Sequence, residues 1–180
     1  MFAVYISLNE DETFHSIIIK KKYNDFTYIA FLGYSGGGEY DEFYAKTKYN
    51  DELGLTGFYS RSNGSGEWEN KLLSLKFNDE SESFINESEE LFDFMDKDDQ
   101  KIQFELLNEI NKYVYHGYDE ETDQEFEYPV LKDLDFSVFK KFENSDAYYN
   151  GEWNDEFLEI TVSDLWGLSI SFPNVIENYL

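Results

Sequence analysis

The chain has 180 residues, 41% hydrophobic and 19% aromatic, enough for a packed core and unlike an acidic disordered chain, which is poor in aromatics. Thirty-nine Asp and Glu stand against 14 Lys and Arg, giving a formal net charge of -25 and a pI near 4.1, a balance that repels nucleic acid, acidic membranes and copies of itself. There is no Cys, so disulfides, thiolate nucleophiles and thiolate-bound metals are excluded.

Phe2 to Leu8 and Phe14 to Lys20 read as strands joined by the polar turn Asn9-Glu10-Asp11-Glu12. Phe26 to Leu32 reads as a third, with Asn24-Asp25 before it and the loop Gly33 to Gly38 after it. Tyr40 to Tyr49 is expected as a fourth. Leu53 to Arg61 and Trp68 to Phe77 bracket Ser62-Asn63-Gly64-Ser65-Gly66, a hairpin signal.

The middle changes character. Phe84, Ile85, Leu91, Phe92 and Met95 have helical spacing, which predicts a helix from about 80 to 95. A second is predicted from Asp98 or Asp99 to about Lys112, where Ile102, Leu106, Leu107 and Ile110 form one apolar face and the Asp pair suits the positive helix end. Asp119 to Glu127 reads as an acidic connection and Pro129 as the start of a further segment. Phe157 to Val162 and Leu168 to Phe172 suggest a last hairpin.

The expected fold is α+β in a single compact domain spanning residues 1-180, mainly antiparallel sheet with helix near residues 80-112. Gly66-Glu67-Trp68 recurs as Gly151-Glu152-Trp153, each Trp five residues before a leucine; Gly33-Tyr34 and Gly117-Tyr118 stand at about the same offset. These echoes suggest two similar halves, about 1-80 and 90-180.

Catalytic motifs are scarce. Only His15 and His116 could serve as a neutral-pH base, and neither stands in a motif with a known role. Gly36-Gly37-Gly38 leads into Glu39, Asp41 and Glu42, which would repel a phosphate. The run Asp119, Glu121, Asp123, Glu125 alternates like a calcium loop, but Gln124 stands where that loop needs Gly and Val130 where it needs Glu. No cofactor, dedicated metal site or enzymatic activity is therefore expected. A small carboxylate-dependent hydrolase is the rival reading, and two close acids among 39 say little for it.

The charge itself is patterned. Residues 79 to 99 hold ten acids and one Lys; residues 119 to 127 hold six acids and no base; residues 143 to 159 again hold six, and residues 39 to 42 hold three. On a helix over 80 to 95, Glu82, Glu87, Glu89, Glu90 and Asp93 would line the polar side about 5-6 Å apart, close to the spacing of phosphates along a strand. These five, with Asp96, Asp98, Asp99, Asp119, Glu120, Glu121, Asp123 and Glu125, are the candidate partner-binding residues. Tyr40, Phe43, Tyr118, Phe126, Tyr128, Tyr148 and Tyr149 are candidate aromatic contacts among the acids, with core packing the ordinary alternative for each. For the acids the ordinary alternative is a solvated face or salt adaptation.

In composition and charge distribution the chain resembles the acidic, DNA-mimicking inhibitors that phages and mobile elements direct at bacterial defence nucleases, of the anti-CRISPR and anti-restriction kind. It also resembles immunity proteins that neutralise nuclease toxins. The resemblance rests on no residue motif and transfers no functional residue. It implies a basic, nucleic-acid-binding protein as partner, with no direct binding of nucleic acid or membrane. The N-terminus lacks a basic region and a long apolar run, so a cytoplasmic site is expected. Thirteen Lys against one Arg, Arg61, suggest AT-rich coding and a bacterial host.

Overall fold

The computed structural model describes residues 1–36, 39–50, 54–62, 68–78, 83–86, 96–119, 121–141 and 146–150. The fold is α+β with mainly antiparallel sheet. Seven strands follow one another as a meander: β1 (Ala3–Leu8), β2 (Phe14–Tyr23), β3 (Phe26–Gly36), β4 (Glu39–Asn50), β5 (Gly54–Ser62), β6 (Trp68–Asn78) and β7 (Ser83–Asn86). The helix α1 (Lys97–Ile110) and the hairpin β8 (Val114–Asp119) and β9 (Gln124–Leu131) come next. A 3-10 turn, Phe136–Val138, precedes β10 (Lys140–Lys141) and β11 (Ala147–Asn150), which add to the opposite edge in the order β10-β11-β1.

Local chemistry sets the turns. Asn24 takes a left-handed φ of 55° between the paired residues Tyr23 and Phe26, a conformation that Asn tolerates. In the β1–β2 turn, Asp11 accepts the Thr13 hydroxyl at 2.6 Å, and Glu12 carries the left-handed φ of 64°. Gly57, opposite Thr47, allows β4 and β5 to meet closely: a Cβ there would lie 1.9 Å from the Lys46 carbonyl oxygen.

One face of β1–β4 packs beneath α1 and the β8–β9 hairpin. Val4, Ile6, Ile17, Ile19, Tyr28, Ala30, Leu32 and Tyr44 meet Ile102, Leu106, Ile110 and Val114 there. On the other face Tyr5, Ile18, Phe31 and Phe43 are also buried. Burial on both faces explains the unbroken run Ile17-Ile18-Ile19, where a half-exposed strand would alternate.

The helix lies across the strands. Lys21, Tyr28 and Lys46 form one cross-strand row on β2, β3 and β4. Asp99 sits over Tyr28 and Lys46, and Glu105 pairs with Lys21. Six helical residues rise about 9 Å, and two strand spacings span about 9.5 Å, so the acids of α1 match the bases of the row.

Three sequence expectations change. Residues 83–86, expected within a helix, form β7, in which Phe84 opposes Phe77 of β6. A short apolar pair fits either period, and pairing with the preceding strand prevails. The rest of the expected 80–95 helix lies outside the described residues, as do the expected hairpin over 157–172 and the Gly151–Trp153 echo. Residues 119 and 121–127 are the tip and arm of a hairpin instead of a connection, and Pro129 is buried within β9 where the register shifts and no ladder bond is lost. His15, whose hairpin reads in the sequence as one at a sheet edge, is the second residue of β2, an inner strand between β1 and β3. Among the described residues, no helix is long and apolar enough to cross a membrane.

Candidate acidic interface

The first described acidic group is the N-terminus of α1. Asp96 caps the helix: its carboxylate accepts the Asp99 N–H at 2.8 Å, and Asp99 accepts the Asp96 N–H at 3.2 Å. That bond to the Asp99 backbone is the main reason the Asp96 carboxyl is held below its usual acidity range. Asp96 and Asp98 are exposed.

Asp99 is different. It is 2% exposed, and it accepts the Tyr28 hydroxyl at 2.7 Å and the Lys46 ammonium at 2.7 Å. Lys46 also lies 4.5 Å from the centre of the Phe26 ring. A carboxylate so enclosed and satisfied anchors the helix to the sheet, so Asp99 belongs to the framework and not to the surface.

The second group is the β8–β9 tip. Asp119 accepts the Thr122 hydroxyl at 2.5 Å and the Glu121 N–H at 3.1 Å, and these bonds, led by Thr122, hold its carboxyl below the usual range. Asp123 turns the chain with a φ of 55° and accepts the Tyr118 hydroxyl, a bond that raises the pKa of the phenol. Glu121, Asp123, Glu125 and Glu127 are all exposed. The tip is thus a fixed loop that presents carboxylates outward, each oxygen keeping lone pairs to spare.

Both elements meet β4. Asp99 meets Lys46, whereas the hairpin meets the same strand through His116 Nδ1, 3.4 Å from Glu42 Oε1, and through Tyr128, whose ring centre is 5.7 Å from that of Tyr40. Lys46 and Glu42 are four residues apart, about 13 Å along a strand. Val114 lies in the core and His116 at β4, so β8 leads from the core to β4. Asp96 and Asp98 thus belong to the helix end that meets β4 at Lys46, and Asp119, Glu121, Asp123 and Glu125 to the hairpin that meets β4 at Tyr40 and Glu42. Glu82, Glu87, Glu89, Glu90, Asp93 and Glu120 lie outside the described residues.

The aromatic candidates divide. Phe43 is 2% exposed and belongs to the core, while Tyr118 and Tyr128 are 55% and 47% exposed. Tyr40, Phe126 and Tyr148 are half-buried. Sequence reasoning passed over Tyr115, which stacks on Phe126 with ring centres 5.0 Å apart and planes 14° from parallel. Lys132 Nζ stands 4.5 Å from the Tyr115 ring centre. The register that aligns these rings depends on the shift between Tyr115 and Gly117, where Gly117 has a φ of 72°. Only the turn glycine signalled it.

Comparison with protein-family models, with curated proteins and with solved structures finds no match.

Proposed function

We propose that the protein is a stoichiometric inhibitor that occupies the basic nucleic-acid-binding cleft of another protein, such as a nuclease. The observation that carries this reading is that two acid-bearing elements, the first turn of α1 and the β8–β9 hairpin, meet the same strand. Their carboxylates are presented from a helix end and a hydrogen-bonded loop, so a partner meets fixed charges in place of a mobile acidic tail. Fixed carboxylates suit bidentate pairing with Arg and compete with the phosphates of the natural polyanion. Long-range attraction from a net charge of -25 speeds the encounter.

The finer form of the reading is a phage or mobile-element protein acting against a defence nuclease in a bacterial cytoplasm. An immunity protein against a nuclease toxin would use the same surface, and a toxin gene directly beside this gene would favour it. A carboxylate-dependent hydrolase draws less support. Its general acid must be held above the usual carboxyl range, whereas the described carboxyls with displaced acidity, Asp11, Asp96, Glu105, Asp119 and Asp135, are all held low.

The test is affinity capture from bacterial lysate at low salt, with elution by excess duplex DNA or by ~0.5 M salt, where screening is strong. The expected result is a nucleic-acid-binding protein released by both and inhibited by the purified chain. Capture indifferent to salt and to DNA overturns the reading.

A further inference from the structure

We infer that the outer face of the β8–β9 hairpin is an arginine-recognition notch, formed by the Phe126 ring, the uncovered backbone at Gly117 and the Asp119 carboxylate. The inference rests on the inhibitor reading and names the side chain that the partner places there.

Register puts these groups together. Gly117 opposes Phe126, and Asp119, two residues further along β8, shares the face of Gly117. A side chain at 126 usually leans over a glycine opposite it, but here the Phe126 ring stacks on Tyr115 instead. A Cβ built at Gly117 would meet no heavy atom within 4 Å, so the backbone there is open. The result is a gap bounded by a ring on one side and a carboxylate on the other.

The chemistry of the gap selects a flat cation. Lys132 already places its ammonium 4.5 Å from the Tyr115 ring centre, so the column of rings holds a cation at its inner end. Tyr115 and Phe126 then carry the column toward the tip. A guanidinium can stack on a ring face while its edge donates two hydrogen bonds to a carboxylate; an ammonium has no flat face to stack. Residues 120 to 127 add five further acids and no base, so the surroundings favour a cationic occupant and reject an anionic one. The occupant is therefore an Arg side chain from an Arg-rich surface, of the kind that otherwise holds phosphate.

The experiment measures binding of two labelled decapeptides of equal charge, one Arg-rich and one Lys-rich, to the full chain at ~50 mM salt. The wild type is compared with Phe126→Leu, which removes the ring, and Gly117→Asn, which fills the gap with a residue that tolerates left-handed backbone. Glu12→Gln, in the distant β1–β2 turn, is the control, and circular dichroism verifies folding. Expected is an Arg-over-Lys preference that falls about two- to five-fold in both hairpin variants, the scale of an exposed cation–π contact, and persists in the control. A preference unchanged in both folded variants overturns the notch. If both peptides still bind, and release with salt, the charge-based inhibitor reading stands without the notch. If neither peptide binds the wild type, the notch and that reading fail together.

Discussion

The Tyr28 hydroxyl donates to the Asp99 carboxylate at 2.7 Å across 71 positions of sequence, joining the centre of the sheet to the first turn of the helix that covers it. Lys46 reaches the same oxygen, so one buried acid neutralises a half-buried base and satisfies a phenol. Breaking such a pair by removing one partner strands the other. Asp99→Ala is expected to lower unfolding stability by about 3 kcal/mol. Asp98→Ala, one residue earlier and exposed, is expected to change it by less than about 0.5 kcal/mol. Urea denaturation distinguishes them, and equal losses would contradict the inward placement of Asp99.

That contrast marks what sequence conveys and what it does not. The strands β1 to β6 were legible because their apolar runs are long and their turns carry Asn, Asp and Gly at the required positions. The second helix was legible from Ile102, Leu106 and Ile110, all buried against the sheet. The role of Asp99 was not, because 96 to 99 reads as one acidic run and only the helix phase turns Asp99 inward. β7 reads as helix in the sequence because Phe84 and Ile85 fit either period until β6 supplies a partner. Of the candidate surface, the tip acids are legible as charge, but not as a hairpin, since Asp119 and Gln124 pair across four intervening residues without a two-residue turn signal such as Asn-Gly.

The alkaline limit of stability is expected to fall on tyrosines. Burial, the leading cause, together with nearby carboxylates raises the Tyr28 and Tyr44 phenols well above their ordinary range, and that of Tyr113 to about 12. A folded-state value raised above the unfolded one means the fold favours the protonated phenol. That contribution is complete below the unfolded value near 10 and is lost as pH rises toward the folded values. The urea midpoint should therefore fall steadily from about pH 10 upward. A flat midpoint to pH 12 would sink this assignment.

On the acid side two effects oppose. Hydrogen bonds hold Asp96 and Asp119 low, and the Lys21 pair leads in lowering Glu105; each contribution is present above the unfolded value near 4 and lost as pH falls through the lower folded value. Burial lowers His15, whose contribution is complete above about 6.5 and lost as pH falls through its folded value. Against these, protonating surface acids relieves the self-repulsion of a chain at -25. Stability at ~10 mM salt should accordingly rise less steeply toward pH 5 in the wild type than in His15→Gln, which lacks the opposing imidazole. Parallel curves for the two proteins would show that His15 has no part in it.

Gly57 gives a test of the β4–β5 register. A methyl group there lies 1.9 Å from the Lys46 carbonyl oxygen and 3.0 Å from the Thr47 Cα, both backbone atoms that cannot rotate away. Strands must separate or slip to admit it. Gly57→Ala should cost about 3 kcal/mol or more, at the upper end of overpacking, and hydrogen exchange should accelerate in β4 and β5 before β1 and β2. Native-like stability in this variant would mean that Gly57 does not oppose Thr47.

Charge reversal separates a shaped surface from mere acidity. The first turn of α1 and the hairpin contact β4 about 13 Å apart, beyond the ~8 Å screening length at physiological salt. A partner spanning both should feel them independently. Asp98→Lys and the pair Glu121→Lys with Glu125→Lys should each slow association with the captured target several-fold, and their effects should multiply when combined. Glu10→Lys and Glu12→Lys, in the β1–β2 turn, change net charge by the same amount away from both groups. Their effect on the association rate should be much smaller at physiological salt, where distant charges are screened. Equal slowing by the turn and hairpin reversals would leave net charge as the sole determinant, and the arrangement over β4 would carry no recognition.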